Sequence, residues 1–220
     1  MIREPRPVLK EGFMTEPAWL TLGRELQALA QTGLTFTQDR FDRQRYERIT
    51  QIAATLLGSG FNIEPKLMLD LLQTQRGYAT PKIDVRGAAF RDGKVLMVRE
   101  RIDGRWTLPG GWADVNQSAA ECTVREIREE SGFEARALKL TGVFDYQKSG
   151  HPPRQYFSCY KMFFLCEITG GEPRPSDETS EVGFFARDAF PPLSLGRTTV
   201  AQVERMFEHA ANPSLPTDFD

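Results

Sequence analysis

The apolar residues of this chain change their period at Lys82, and that change limits the fold more than any other feature. Before it, Trp19, Leu22, Leu26 and Leu29 recur every three or four residues, and Phe41, Tyr46, Ile49, Ile52 and Leu56 follow at helical spacing. Such spacing gathers each set on one helix face. Leu67, Met68, Leu71 and Leu72 mark a third, short helix, and Pro65 stands near its start, where a proline is tolerated. The glycines of "GSGFN", 58–62, predict a break between the second and third helices. Residues 17–74 thus form a predicted three-helix unit. From Lys82 onward, "KIDVRGAAF" and "KVLMVRE" have strand character, and Asp92-Gly93 between them is a hairpin signal. Further strands are predicted at 137–146, 155–168 and 181–186, and helices at 118–131 and roughly 198–210. "RGYATP", 76–81, is the natural linker. The predicted organisation is a helical domain over 1–77 and a mixed α/β domain with antiparallel pairing over 78–220.

A chain of 220 residues, 40% hydrophobic, is long enough to bury a core in one or both of these parts. Its formal net charge of -2 gives no global field that would draw it to DNA or to an anionic membrane. The arginines at 40, 43, 45 and 48 alternate with Asp39, Asp42 and Glu47, so they form a balanced face rather than a basic stripe. No DNA partner is expected. No run approaches the roughly 20 apolar residues of a membrane span, and Met1 to Lys10 lacks the apolar stretch of a secretion signal. Cys122, Cys159 and Cys166 show no Cys-x-x-Cys spacing and suit reduced thiols in the cytoplasm.

The chemistry lies in "GGWADVNQSAAECTVREIREESGF", residues 110–133. Ser118 with Glu121 three residues later makes a capping box, and Gly132 supplies the helix stop. Glu126, Glu129 and Glu130 stand at i, i+3 and i+4, so they share one face and their carboxylates are expected to converge. Hard oxygen ligands suit Mg²⁺ or Mn²⁺ rather than zinc. Gly110 and Gly111, having no Cβ, allow a backbone carbonyl to approach such an ion. The bland alternative is a solvated ladder of Glu121, Arg125 and Glu129 at i, i+4. Arg99 and Arg101 lie on one face of the second strand, either solvated or reaching toward phosphates. The long loop "QKSGHPPRQYF", 147–157, carries His151, Arg154 and Tyr156; it either folds over a ligand or leaves His151 as an ordinary exposed residue. His209 sits in a surface-like C-terminal helix without a role. Trp106 and Trp112 flank the glycines, for packing under the loop or for stacking on a base.

This segment resembles the Nudix box, G-x5-E-x7-R-E-U-x-E-E-x-G-U, where U is a bulky apolar residue. Gly111, Arg125, Glu126, Ile127, Glu129, Glu130, Gly132 and Phe133 fall on it, and Gln117 replaces its first glutamate. "LQALAQTGLTFTQDRFDRQRYERITQIAATLL", "GYATPKIDVRGAAF", "GHPP", "ETSEVGFF" and "FPPLSLGR" extend the similarity, over nearly the whole chain, to a bacterial Nudix subgroup with a helical N-terminal domain. The resemblance implies an α/β/α sandwich around a mixed sheet. It implies hydrolysis of a nucleoside diphosphate linked to another moiety, of the CDP-choline or ADP-ribose type, with Mg²⁺ or Mn²⁺. By the same resemblance Glu126 and Glu130 are the firmest ligands, Glu129 is a ligand or its support, and Arg125 orients the carboxylates. A further base or ligand is expected on a late loop, at Glu178 with Glu181 as competitor. A homodimer is expected from family habit. Some Nudix-like domains instead sense nucleotides without catalysis; a sensor would be expected to lose the Arg-Glu-x-x-Glu-Glu carboxylates, which are kept here.

Overall fold

The computed structural model describes residues 16–220; the segment inspected above for a secretion signal lies outside them. Contacts divide the described residues into two compact units, one of 16–81 with 154–158 and one of 82–153 with 159–220.

In the helical unit, α1 spans Ala18–Phe36, α2 Arg40–Phe61 and α3 Pro65–Gln73. Asp39 caps α2 by accepting from the amides of Phe41 and Asp42, and Glu64 does the same for α3 ahead of Pro65. The predicted break at residues 58–62 falls later than expected. Gly58 and Gly60 remain helical, and α2 ends at Asn62 in the left-handed conformation. Packing explains why glycines sit there: a Cβ on Gly60 would lie 2.2 Å from the Trp19 ring. The inward faces are also built from smaller residues than the periodicity selected. The core is Leu20, Ala53, Ala54, Leu57, Met68 and Leu72, with Trp19 and Leu26 against it. Leu22, Leu29, Phe41 and Ile52 are exposed. Small residues at the crossing let α1 and α2 approach closely, which turns the bulky stripe outward.

In the second unit, β1 (Lys82–Arg91) and β2 (Lys94–Glu100) form the expected hairpin, and Asp92 and Gly93 both take positive φ. The remaining elements are β3 (Trp106–Thr107), α4 (Ala119–Ser131), β4 (Phe133–Asp145), β5 (Cys159–Gly171), β6 (Thr179–Phe185), α5 (Val200–Ala211) and β7 (Asp218–Phe219). The two-residue strands β3 and β7 are too short to leave a periodic signal. Sheet order is β3-β2-β1-β5-β4-β7, with β6 also paired to β2. The β1–β5 and β4–β7 pairs are parallel and the others antiparallel. Successive side chains of a strand face opposite ways, so the sheet has two cores. Ala88, Met97 and Phe163 pack toward Val203 and Met206 of α5, while Ala89, Leu96 and Phe164 pack toward Cys122 and Ile127 of α4. This is the expected α/β/α arrangement of a mixed sheet.

Among the described residues no helix is long and apolar enough to cross a membrane. His209 departs from its expected surface position: it is buried, with Nε2 against Asp218 and Nδ1 against Lys139. β7 covers that side of the helix, and its pairing with β4 gave no sequence signal.

Candidate active site

β1 and β2 pair only next to their turn, at Phe90 with Val95 and Arg91 with Lys94. Beyond that point the amides of Gly87 and Val85 donate to the carbonyls of Pro109 and Gly111, and Ala113 N–H donates to Ile83. The glycine segment is thereby laid along β1 as a substitute strand. Gly110 has φ +146°, and a Cβ there would stand 2.0 Å from the Val85 carbonyl oxygen. No side chain fits this position. The Gly110 N–H is then aimed at α4 and donates to Glu130 Oε2 at 2.9 Å.

The box helix α4 has the predicted capping box, and Gly132 ends it in the left-handed conformation. Ile127, Cys122 and Thr123 fix its inner face against the sheet. That rotation sends Glu130 inward, 5% exposed, while Glu129 stays exposed. Convergence of all three carboxylates is therefore not found. Among the described residues, no group of three or more His, Cys, Asp or Glu side chains is arranged to hold a metal ion. Arg125 explains part of the spread, because it contacts Glu126 at 3.0 Å, Glu129 at 2.7 Å and Asp114 at 2.8 Å. Its Nε also donates to Gln117 Oε1 at 3.1 Å. The glutamine at the departing box position thus keeps a hydrogen bond that a carboxylate would make.

Burial pushes the Glu130 carboxyl up to about 8, against the pull of Arg86 and the Gly110 N–H. Burial likewise raises Glu126, against Arg125. Glu126 lies beside Gly111, with Oε1 3.3 Å from where a Cβ would stand. The site therefore pairs two desolvated carboxylates with a glycine backbone that approaches them closely. Both carboxylates gain from any cation that reaches them. This donor set fits a hard divalent ion.

Beneath the site lies a charged cluster that the sequence reading missed. Asp84 accepts from Arg86 Nε at 3.0 Å and Nη2 at 2.8 Å, and from Lys161 Nζ at 2.6 Å. Arg86 Nη1 donates to the Leu108 carbonyl. Burial would raise Asp84, but the two cations hold it below the usual carboxylate range. Burial lowers Lys161 to about 8 despite Asp84. Glu100, buried at the end of β2, pairs with Arg197 at 2.8 Å and is also raised by burial. Arg86 feels both Glu130 and Glu100, so three cations (Arg86, Lys161, Arg197) balance three acids (Asp84, Glu100, Glu130). One signal was available: Asp84 and Arg86 sit two apart, on one face of an otherwise apolar strand.

The remaining candidates are spread over the unit. Arg99 bridges the Gly104 carbonyl and Glu181, at 2.8 and 2.6 Å. Arg101 donates to the Ser176 carbonyl. Glu178 is exposed, its carbonyl accepts from the Arg101 amide, and its charge reaches Glu100. The Glu181 carboxylate is thus paired with Arg99 on the sheet, whereas the exposed Glu178 carries a like charge near Glu100. His151 is not an exposed loop residue. It is buried and stacked on Tyr146, with Nδ1 at the Leu195 carbonyl and Nε2 at the Gln202 amide. Burial lowers it to about 4. Both ring nitrogens face protein. Trp106 packs edge-on against Phe185, and Trp112 is exposed with Lys82 over its ring.

A mixed sheet between two helices, with a glycine turn locked to a buried glutamate of the box helix, defines a Nudix-type hydrolase. The comparisons agree. Residues 81–205 match the NUDIX domain model, and residues 17–72 match the "UDP-X-like, N-terminal oligomerisation domain" model. The chain belongs to the Nudix hydrolase family. It is 40% identical over 202 residues to YjhB of Bacillus subtilis (strain 168), which carries a provisional name as an ADP-ribose pyrophosphatase; the match covers 92% of this chain and 97% of that one. A crystal structure of a UDP-X diphosphatase is 32% identical with a TM-score of 0.60, covering 92% of this chain and 98% of that one. An ADP-ribose pyrophosphatase from Streptococcus suis 89-1591 is 40% identical with a TM-score of 0.59, covering 64% of this chain and all of that one.

Proposed function

We propose that this Nudix pyrophosphatase cleaves the diphosphate of a nucleoside diphosphate linked to another moiety, of the ADP-ribose or CDP-choline type, with Mg²⁺ or Mn²⁺. The observation that carries the reading is the buried Glu130 held by the Gly110 N–H, with Glu126 beside it. A negatively charged diphosphate approaches such carboxylates only through a cation. Glu126, Glu130 and the Gly110 carbonyl hold that cation, and Glu129 completes or supports the set. A bound divalent ion supplies charge neutralisation and Lewis acidity at the phosphates. Arg125 holds Glu126 and Glu129 in place. Glu178 accepts the proton of the attacking water as its oxygen bonds to phosphorus and the bridging P–O bond breaks. Arg99 and Arg101 flank this loop and draw the phosphates electrostatically, whereas His151, with both ring nitrogens bonded to protein, is given no part in binding. The exposed Trp112 is the platform for a nucleobase.

The helical unit is proposed to form a homodimer. Leu22, Leu29 and Phe36 are seven residues apart on α1 and all exposed, a stripe that a second copy would cover. Buried free thiols at Cys122, Cys159 and Cys166 suit a cytoplasmic protein.

The test is hydrolysis of ADP-ribose, CDP-choline, NADH and nucleotide sugars in excess chelator and after adding Mg²⁺ or Mn²⁺. Activity is expected only with the metal; full turnover in chelator would overturn the reading. Glu178→Gln is expected to lower kcat by about 10²–10⁴ with little change in KM. The same loss in Glu181→Gln alone would transfer the base role to Glu181.

A further inference from the structure

The ion pair of Glu100 with Arg197 leaves a guanidinium fork unused beside the box helix. Glu100 is 4% exposed at the end of β2, and its Oε1 lies 2.8 Å from Arg197 Nε. The Arg197 side chain is 33% exposed, and neither of its terminal nitrogens has a hydrogen-bond partner among the described residues. Arg86, Arg99, Arg101 and Arg125, by contrast, each have a terminal nitrogen bonded to protein. Asp103 also feels the Arg197 charge, but it is taken up by the Ser194 hydroxyl and the Arg105 amide.

The pair stands at the box helix. In the β2–β6 ladder Glu100 lies opposite Thr179, and the Thr179 hydroxyl donates to the Glu130 carbonyl at 2.7 Å. The Glu130 carboxyl correspondingly feels the charge of Glu100. The loop that carries Arg197 is fastened to β3 without help from the guanidinium. Ser194 N–H donates to the Trp106 carbonyl at 2.8 Å, and the Thr198 and Thr107 hydroxyls bond at 2.9 Å. From there β3 runs on through Leu108 and Pro109 into Gly110. The Arg197 side chain is therefore not needed to hold its own loop. A buried ion pair is by itself weak evidence of stabilisation. A guanidinium held at Nε with its other two nitrogens free is instead oriented for phosphate oxygens, which it bonds as a fork.

We propose that Arg197 contacts the substrate, donating from Nη1 and Nη2 to nonbridging oxygens of the diphosphate, and that Glu100 positions it through Nε. The inference rests on the diphosphate reading above and adds to it a residue that holds the phosphates directly. The carboxylates of α4 repel a diphosphate, and Arg197 offsets that repulsion from the end of β2. The "FPPLSLGR" segment, whose last residue is Arg197, thereby gains a part in the chemistry.

The experiment joins hydrolysis of the substrates screened above with calorimetric titration of α,β-methylene-ADP, whose P–C–P bridge resists cleavage, both on the full-length protein in Mg²⁺. Arg197→Ala should lower kcat/KM and weaken analogue binding, each by about 10–100-fold, as loss of a hydrogen bond to a charged group does. Arg197→Lys keeps the charge without the fork and should recover only part of that loss. Glu100→Gln keeps an acceptor for Nε and should lose less than Arg197→Ala. The double variant Glu100→Gln/Arg197→Ala leaves neither charge of the pair behind, so it decides the matter even where Arg197→Ala fails to fold. It should lose as much as Arg197→Ala, because Glu100 acts through Arg197. A wild type that binds the analogue but hydrolyses none of the substrates would refute the hydrolysis reading, and the affinities of the variants would still decide Arg197. A wild type that turns over, with kcat/KM and analogue affinity unchanged in the double variant, would overturn the Arg197 assignment alone. No analogue binding tighter than ~1 mM by the wild type would also overturn it.

Discussion

Glu130 and His151 are both buried, and burial moves them in opposite directions for the same reason: each resists its charged form. Glu130 is pushed up to about 8 from an ordinary value of 4.5. Between those values the metal-free native state keeps a proton that the unfolded chain has released. Its stability is therefore fully present below pH 4.5 and lost as pH rises through 8. Glu130→Gln copies the protonated form, so in chelator its melting temperature should exceed that of the wild type above pH 8. The same substitution removes a proposed ligand charge and should cost several orders of magnitude in kcat. Thermal denaturation beside the kinetic assay checks both. His151 is lowered to about 4 from 6.5. The unfolded chain binds the extra proton between these values, so stability is present above pH 6.5 and falls as pH drops toward 4. That loss has a ceiling of about 3 kcal/mol. His151→Gln removes the titrating group, so this part of the acid loss should disappear in the variant; an equal fall in stability from pH 6.5 to 4 in both proteins would sink the assignment. Gln117→Glu keeps the bond from Arg125 and should change kcat by less than about threefold, the scale of a tolerated surface change.

At the scale of elements, the site depends on how a loop and a helix are registered on one strand. The Pro109–Ala113 segment takes the β1 hydrogen bonds that β2 leaves open. Gly110 makes that contact at a distance no Cβ permits. Gly110→Ala should therefore displace the loop from β1, release Glu130 from its N–H donor, and lower both activity and stability. A strained backbone of this kind costs about 1–3 kcal/mol, readable as a lower midpoint in urea. Gly77→Ala is the control: its φ is also positive, but a Cβ there meets nothing within 4 Å. Equal activity losses in the two variants would show that the close approach at Gly110 has no special part.

At the scale of the molecule, the exposed α1 stripe is the contact proposed for association. Leu29 lies midway between Leu22 and Phe36, and all three are exposed. Leu29→Glu places a charge in the centre of the proposed contact, where desolvating it is costly. Sedimentation should show a monomer for the variant and a dimer for the wild type, with the helical signal unchanged because the side chain is outside the core. A dimer that persists in Leu29→Glu would place the interface elsewhere.

The change from helical to strand period at Lys82, the hairpin at Asp92-Gly93 and the ends of α4 were legible in the sequence because each rests on local chemistry: period, turn residues and caps. The box residues were legible too, since their spacing on one helix is fixed by the helix itself. What the sequence could not give was the direction of each side chain within the assembled sheet. Three glutamates on one helical arc look convergent, yet packing of Ile127 and Cys122 turns Glu130 inward and leaves Glu129 to Arg125 at the surface. His151 and His209 looked like surface residues because the elements that bury them are distant in sequence. The same holds for Asp84, Arg86, Lys161 and Glu100, which look like scattered strand charges until the parallel pairing of β1 with β5 brings Asp84 and Lys161 opposite each other. Local periodicity determined which elements form; burial among non-local partners, which sets both orientation and desolvation, was decided by the tertiary structure alone.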